Sequence, residues 1–114
     1  MTIEELRNKV IEEGIKEVKR TEKGAIRKGG IAGFEMCRNL TTMADFERVL
    51  RERHEQEIQM VCSGDIDTDK YWEFCSTIMQ VEYTYDILKV AYNYPLVSAR
   101  AGLRYAKLVG IKAD

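Results

Sequence analysis

The spacing of apolar side chains along this chain predicts helices and no strands. Ile3, Leu6, Val10, Ile15 and Val18 fall on one side of a 3.6-residue repeat, and Glu4, Glu5, Arg7, Glu12, Glu13 and Lys16 occupy the rest. This first amphipathic helix should fade between Thr21 and Gly24. Gly29-Gly30 predicts a second interruption, because each glycine inside a helix costs about 1 kcal/mol relative to alanine. A short helix is then expected from Ile31 to Asn39, with Ile31, Phe34, Cys37 and Leu40 near one face. Thr42 followed by Asp45 has the spacing of a helix N-terminal cap and opens a third helix from Met43 to about Cys62. Gly64 and the run Asp65-Ile66-Asp67-Thr68-Asp69 make a turn, and the aspartates suit the positive start of the next helix.

From Asp69 to Asn93 no breaker occurs. One apolar set, Tyr71, Phe74, Cys75, Ile78, Val81, Tyr85, Leu88 and Tyr92, keeps helical spacing, and a second, Trp72, Met79, Tyr83, Ile87 and Val90, occupies an adjacent face. A helix apolar over most of its circumference belongs in the middle of a bundle or at a subunit interface. Pro95 stops it, and Ser98 can cap a last helix that buries Ala99, Leu103, Ala106 and Val109 and ends near Gly110. The expected architecture is a single all-α domain over residues 1–114, a bundle of four to five helices around a long central apolar helix.

Composition agrees with that picture: 45% of residues are apolar, 32% are charged and one is proline, the profile of a globular chain with helical bias. No apolar run is long enough to span a membrane, and Met1 to Lys9 is acidic and amphipathic rather than a signal peptide, so a cytoplasmic protein is expected. The three cysteines, Cys37, Cys62 and Cys75, are odd in number and share the chain with one histidine, which leaves no disulfide framework and no four-ligand zinc site. They are expected to be buried reduced thiols. The net charge of −1 lacks a nucleic-acid signature. The charges are nevertheless sorted, with seven basic and three acidic residues between Lys16 and Arg38 against four basic and nine acidic between Thr41 and Glu73. Such asymmetry can steer a charged ligand or pair one subunit with another, and it also arises from ordinary solvated helix faces.

Candidate chemistry gathers in two places. Lys23, Arg27 and Lys28 precede Gly29-Gly30, where the chain can either hinge or turn its amides together to cradle a phosphate at a helix start. No Walker-type motif accompanies them. Glu82 sits among Met79, Val81, Tyr83 and Tyr85 and needs a partner, which can be an arginine (Arg38, Arg100 or Arg104), a cationic or hydrogen-bonding ligand, or magnesium shared with Asp86. His54 reads as a hydrogen-bonded histidine at the edge of the core, with no serine, cysteine or second histidine near it in sequence to form a catalytic pair. Cys37 beside Arg38 is a generic pattern that can lower a thiol pKa. The aromatic residues between Tyr71 and Tyr94 suit a core, a subunit interface or base stacking.

Two resemblances follow from these residues. Glu52-Arg53-His54-Glu55 together with Glu82 and Asp86 is similar to the all-α NTP pyrophosphohydrolases of the MazG type, in which an E-x-x-E and an E-x-x-D pair on facing helices hold magnesium on a nucleoside triphosphate. The pattern departs from that family at Tyr83, which stands where the acid three before Asp86 belongs. The segments GGIAGFEMCR, YWEFC, QVEYTYDILKVA and SARAGLRYAKLVG resemble a group of small α-helical proteins encoded by phages and prophages, over about Gly29 to Gly110. That resemblance implies a phage accessory role and brings no activity or catalytic residues with it. It also groups Glu35, Arg38, Glu82 and Arg100 as a polar cluster, either structural or the floor of a pocket. The sequence thus leads to a non-catalytic binding protein without cofactor or bound metal. It is expected to self-associate and to capture a phosphorylated small molecule or a host protein for counter-defence or host regulation. A magnesium-dependent pyrophosphohydrolase is the alternative.

Overall fold

A computed structural model describes residues 2–93 of the chain, and the expected last helix from Ser98 lies outside them. The described residues are helical throughout apart from short connections: α1 (Ile3–Thr21), α2 (Gly24–Cys37), α3 (Met43–Ser63) and α4 (Asp69–Asn93), with a 3-10 turn at Asp65–Asp67. Local signals account for most of these boundaries. Thr2 caps α1 by accepting from the Glu5 amide at 3.1 Å, Glu4 and Glu5 lie in the positive first turn, and Lys19 and Arg20 lie in the negative last turn. Thr42 and Asp45 form a reciprocal capping box at the start of α3. Gly64 ends α3 at φ 84°, a left-handed conformation that only glycine adopts without steric cost. Thr68 Oγ1 then accepts from the Tyr71 amide at 3.2 Å and opens α4.

The expected break at Gly29-Gly30 does not occur. Helix α2 runs through both glycines, and the short helix placed at Ile31 to Asn39 is the second half of a longer element that begins at Gly24. The reason is tertiary. A Cβ on Gly29 would run into the main-chain carbonyl oxygen of Glu73, one on Gly33 would stand 2.5 Å from the carbonyl oxygen of Thr77, and one on Gly30 would press on Val18. Glycine at these positions lets the backbones of α2 and α4 touch. Two hydroxyls of α4 exploit that approach: Ser76 Oγ donates to the Ile26 carbonyl at 2.8 Å, and Thr77 Oγ1 reaches the carbonyls of Gly29 at 3.0 Å and Glu73 at 2.9 Å. The helix-breaking cost of the glycines is offset by contacts that a side chain would prevent.

Helix α1 lies along this pair, where Gly14 leaves room for the ring of Phe34 and Val18 packs on Gly30. Leu6, Val10, Ile11, Phe34, Cys37, Phe46, Val81, Ile87 and Leu88 form the centre of the core. Helix α4 packs against α1, α2 and α3. It is less uniformly apolar than its sequence suggests: Ser76, Thr77 and Thr84 are buried on its inner side, and Asp86 and Lys89 are exposed on its outer side. Helix α3 contributes only Phe46 and Leu50 as buried residues, both in its first half. From Arg51 onward α3 leans on α4 without burying a side chain of its own. Among the described residues, that imbalance leaves apolar surface uncovered.

Candidate functional site

The uncovered surface runs along the α3–α4 pair. Its register is antiparallel: Tyr85 Oη donates to Glu47 Oε1 at 2.9 Å near one end, and His54 Nε2 stands 2.7 Å from Glu82 Oε1 further along. Carried toward the turn, this register brings Ile58 and Val61, one and two turns beyond His54, alongside the stretch of α4 from Met79 back to Trp72. Ile58 is 63% exposed, Met79 55% and Trp72 47%, and Val61 and Ile66 are exposed as well. A shallow cavity of about 270 Å³ opens here against His54, Glu57, Ile58, Val61 and Cys62. Beneath the stripe, Trp72 meets the Tyr71 ring edge-on, with centroids 5.5 Å apart. The Tyr71 hydroxyl is pushed above its ordinary pKa, first by its hydrogen bond with Cys75, then by burial and by the charges of Cys75 and Glu57.

The carboxylates and the imidazole define what chemistry is within reach. His54 lies between two acids, with Nδ1 3.6 Å from Glu57 Oε2 and Nε2 on Glu82. Glu82 therefore finds the partner it needs in His54 on α3, and not in Arg38. A carboxylate that orients an imidazole is part of many catalytic sites, but the imidazole must also reach a nucleophile. Cys62 lines the same cavity two helical turns away, about 12 Å along the axis, which is too far for a shared proton. Glu52 and Glu55 are both exposed, and among the described residues no group of three or more His, Cys, Asp or Glu side chains is arranged to hold a metal ion. The four acids of the pyrophosphohydrolase pattern are not gathered around one point.

The other residues singled out from the sequence separate into three places. Lys23, Arg27 and Lys28 stand together and exposed at the start of α2, Lys23 as its N-cap residue without a side-chain capping bond. Lys28 Nζ lies 3.9 Å from Glu73 Oε1 across to α4. Gly29 and Gly30 are buried under α4, and their amides lie beyond the first turn of α2, where a helical amide bonds to the carbonyl four residues back. The converging amides of a phosphate cradle are not formed there. Glu35 and Arg38 pair with each other at 2.8 Å on the surface at the end of α2, apart from Glu82. Arg100 lies outside the described residues. Glu35, Arg38 and Glu82 therefore do not form a single polar cluster.

The cysteines also divide. Cys37 is buried, bonds to the Gly33 carbonyl at 3.3 Å, and its thiol is pushed up to about 11 by desolvation, against smaller opposing effects of Thr84 and Arg7. The activated thiol beside Arg38 is thereby corrected, since Arg38 turns outward to Glu35. Cys62 is exposed and Cys75 half-buried, so burial holds for Cys37 alone. Among the described residues no helix is long and apolar enough to cross a membrane. Sequence reasoning missed the α3–α4 stripe: Ile58 falls beside the Phe46 and Leu50 face, but Val61, eleven residues after Leu50, returns to that face, so its spacing gives no signal of exposure. No protein-family model, curated protein or solved structure matches this chain.

Proposed function

We propose that this chain is a non-catalytic, phage-associated binding protein that works through the α3–α4 stripe, engaging a host protein and associating with further copies of itself. The observation that supports this reading is the exposure of Ile58 and Val61 on α3 and of Trp72 and Met79 on the antiparallel α4. Large apolar side chains gathered on a surface cost free energy until a partner covers them, whereas single exposed ones are ordinary. Tryptophan and methionine are also over-represented where proteins meet. In this proposal α4 serves as the long apolar element at the centre of a bundle of four to five helices, covered on one side by α1 and α2 and offered to partners on the other. A phosphorylated ligand has weaker support, because what remains for it is the exposed basic start of α2, Lys23, Arg27 and Lys28, without a backbone cradle.

The test compares the full chain with an Ile58→Lys, Met79→Lys double variant, both immobilised and exposed to host-cell lysate, with bound proteins quantified by mass spectrometry. Both positions are exposed, so the helical circular dichroism signal and the melting temperature should be retained. Proteins held by the natural sequence and lost by the variant are the expected result. Equal capture by both would refute the assignment of the stripe, and release of pyrophosphate from nucleoside triphosphates with magnesium would refute the non-catalytic reading.

A further inference from the structure

The charges that the sequence sorts into separate stretches stand on different helix pairs of the fold. Between Glu52 and Asp86, the span that holds the α3–α4 stripe, nine acids stand against two bases. One of those bases, Arg53, is half-buried, its guanidinium 5.9 Å from the centre of the Phe74 ring. Glu55 and Asp69 are exposed three residues before Ile58 and Trp72, and Asp86 is exposed seven residues after Met79. These spacings return to the same side of a helix. The stripe is thus apolar with an acidic rim, and an interface matches such a surface with apolar groups inside a basic rim.

The chain carries a surface of that kind itself, at the corner where α1 turns into α2. Lys16, Arg20 and Lys28 are committed to ion pairs with Glu13, Glu17 and Glu73. Lys19, Lys23 and Arg27 are exposed and enter no ion pair among the described residues. Ile26 is 40% exposed one turn after Lys23, an apolar point among these bases. A copy cannot seat its own corner on its own stripe, because Ser76 Oγ donates to the Ile26 carbonyl at 2.8 Å and fixes the start of α2 against α4. A second copy can supply it. We propose that the α1–α2 corner of one copy docks on the α3–α4 stripe of another, Ile26 meeting the apolar residues and Lys23 and Arg27 the acidic rim, a contact that rests on the stripe being the binding surface proposed above.

Sedimentation of the full chain over a range of concentrations, at low and high salt, tests this contact. Self-association that weakens with salt is expected, because charges at the rim of an interface are screened. Lys23→Glu with Arg27→Glu reverses the corner, and since negative charge is favourable at a helix start the helical circular dichroism signal should be retained. That variant should associate about ten-fold or more weakly than the natural sequence. Ile58→Gln with Met79→Gln, which adds no charge, should weaken association as well. Mixed together, the two variants should recover a one-to-one complex, since each keeps the surface that the other has lost. Trp72 is the one tryptophan of the chain, and its quenching by acrylamide should rise as the natural sequence is diluted. A corner variant that associates as well as the natural sequence, with only the stripe variant impaired, would overturn the contact and leave the binding role of the stripe standing. No recovery on mixing, or a natural chain that stays monomeric, would also overturn it, and Trp72 shielded from acrylamide in the monomer would overturn the stripe assignment with it.

Discussion

Replacing Gly29 by alanine gives opposite signs in two descriptions of α2. In a helix judged on its own, alanine in place of an interior glycine stabilises by about 1 kcal/mol. In this fold the new Cβ meets the carbonyl oxygen of Glu73, a main-chain atom that cannot rotate away. Helices α2 and α4 must then separate, and overpacking of this kind costs about 1 to 3 kcal/mol. Separation also stretches the bonds from Thr77 to Gly29 and from Ser76 to Ile26, now 3.0 and 2.8 Å long. Each is worth about 1 kcal/mol. Taking about 2 kcal/mol for overpacking and about 2 for the two bonds, less about 1 for helix propensity, Gly29→Ala should destabilise by about 3 kcal/mol. Urea unfolding followed at 222 nm measures this as a fall in midpoint at constant slope. An unchanged or raised midpoint would show that α2 and α4 do not approach as closely as described.

Other consequences follow from the caps and the thiols. Thr42→Ala removes the side-chain half of the α3 capping box and should cost about 1 kcal/mol in the same urea assay. Asp45 is held below the usual carboxylate range by hydrogen bonds, chiefly from the Thr42 side chain and backbone. A folded pKa below the unfolded one adds stability that is complete above the unfolded value, 3.8, and is lost as pH falls through the lower folded value. Asp45→Ala should therefore flatten the acid limb of the stability curve, and an unaltered limb would contradict the box. Cys62 should react with a disulfide reagent at mildly alkaline pH in the folded protein, whereas Cys37, buried and pushed up to about 11, should react only on unfolding. Mass mapping of the labelled residues distinguishes the two, and early labelling of Cys37 would refute its burial.

Much of the fold was legible because its signals are local. The Thr42 and Asp45 cap, the break near Thr21 to Gly24 and the start of α4 at Asp69 depend on residues within a turn or two of one another, and the helices begin and end where those signals stand. The all-α class and most of the core, including Leu6, Val10, Phe34, Val81 and Leu88, follow from periodicity in the same way. Gly29-Gly30 misled because the energy that keeps α2 continuous resides in Ser76, Thr77 and the backbone of α4, about 45 residues away. The trace left in the sequence was the four-residue spacing of Gly29 and Gly33, which puts two glycines on one helix face. Glu82 advertised its need for a partner, yet the choice of His54 was made by the register of α3 against α4. The exposure of Ile58 and Met79 was likewise settled only by how whole helices pack. Helix formation is decided by neighbours along the chain, whereas the partners of a side chain depend on angles and offsets between helices that no single segment encodes.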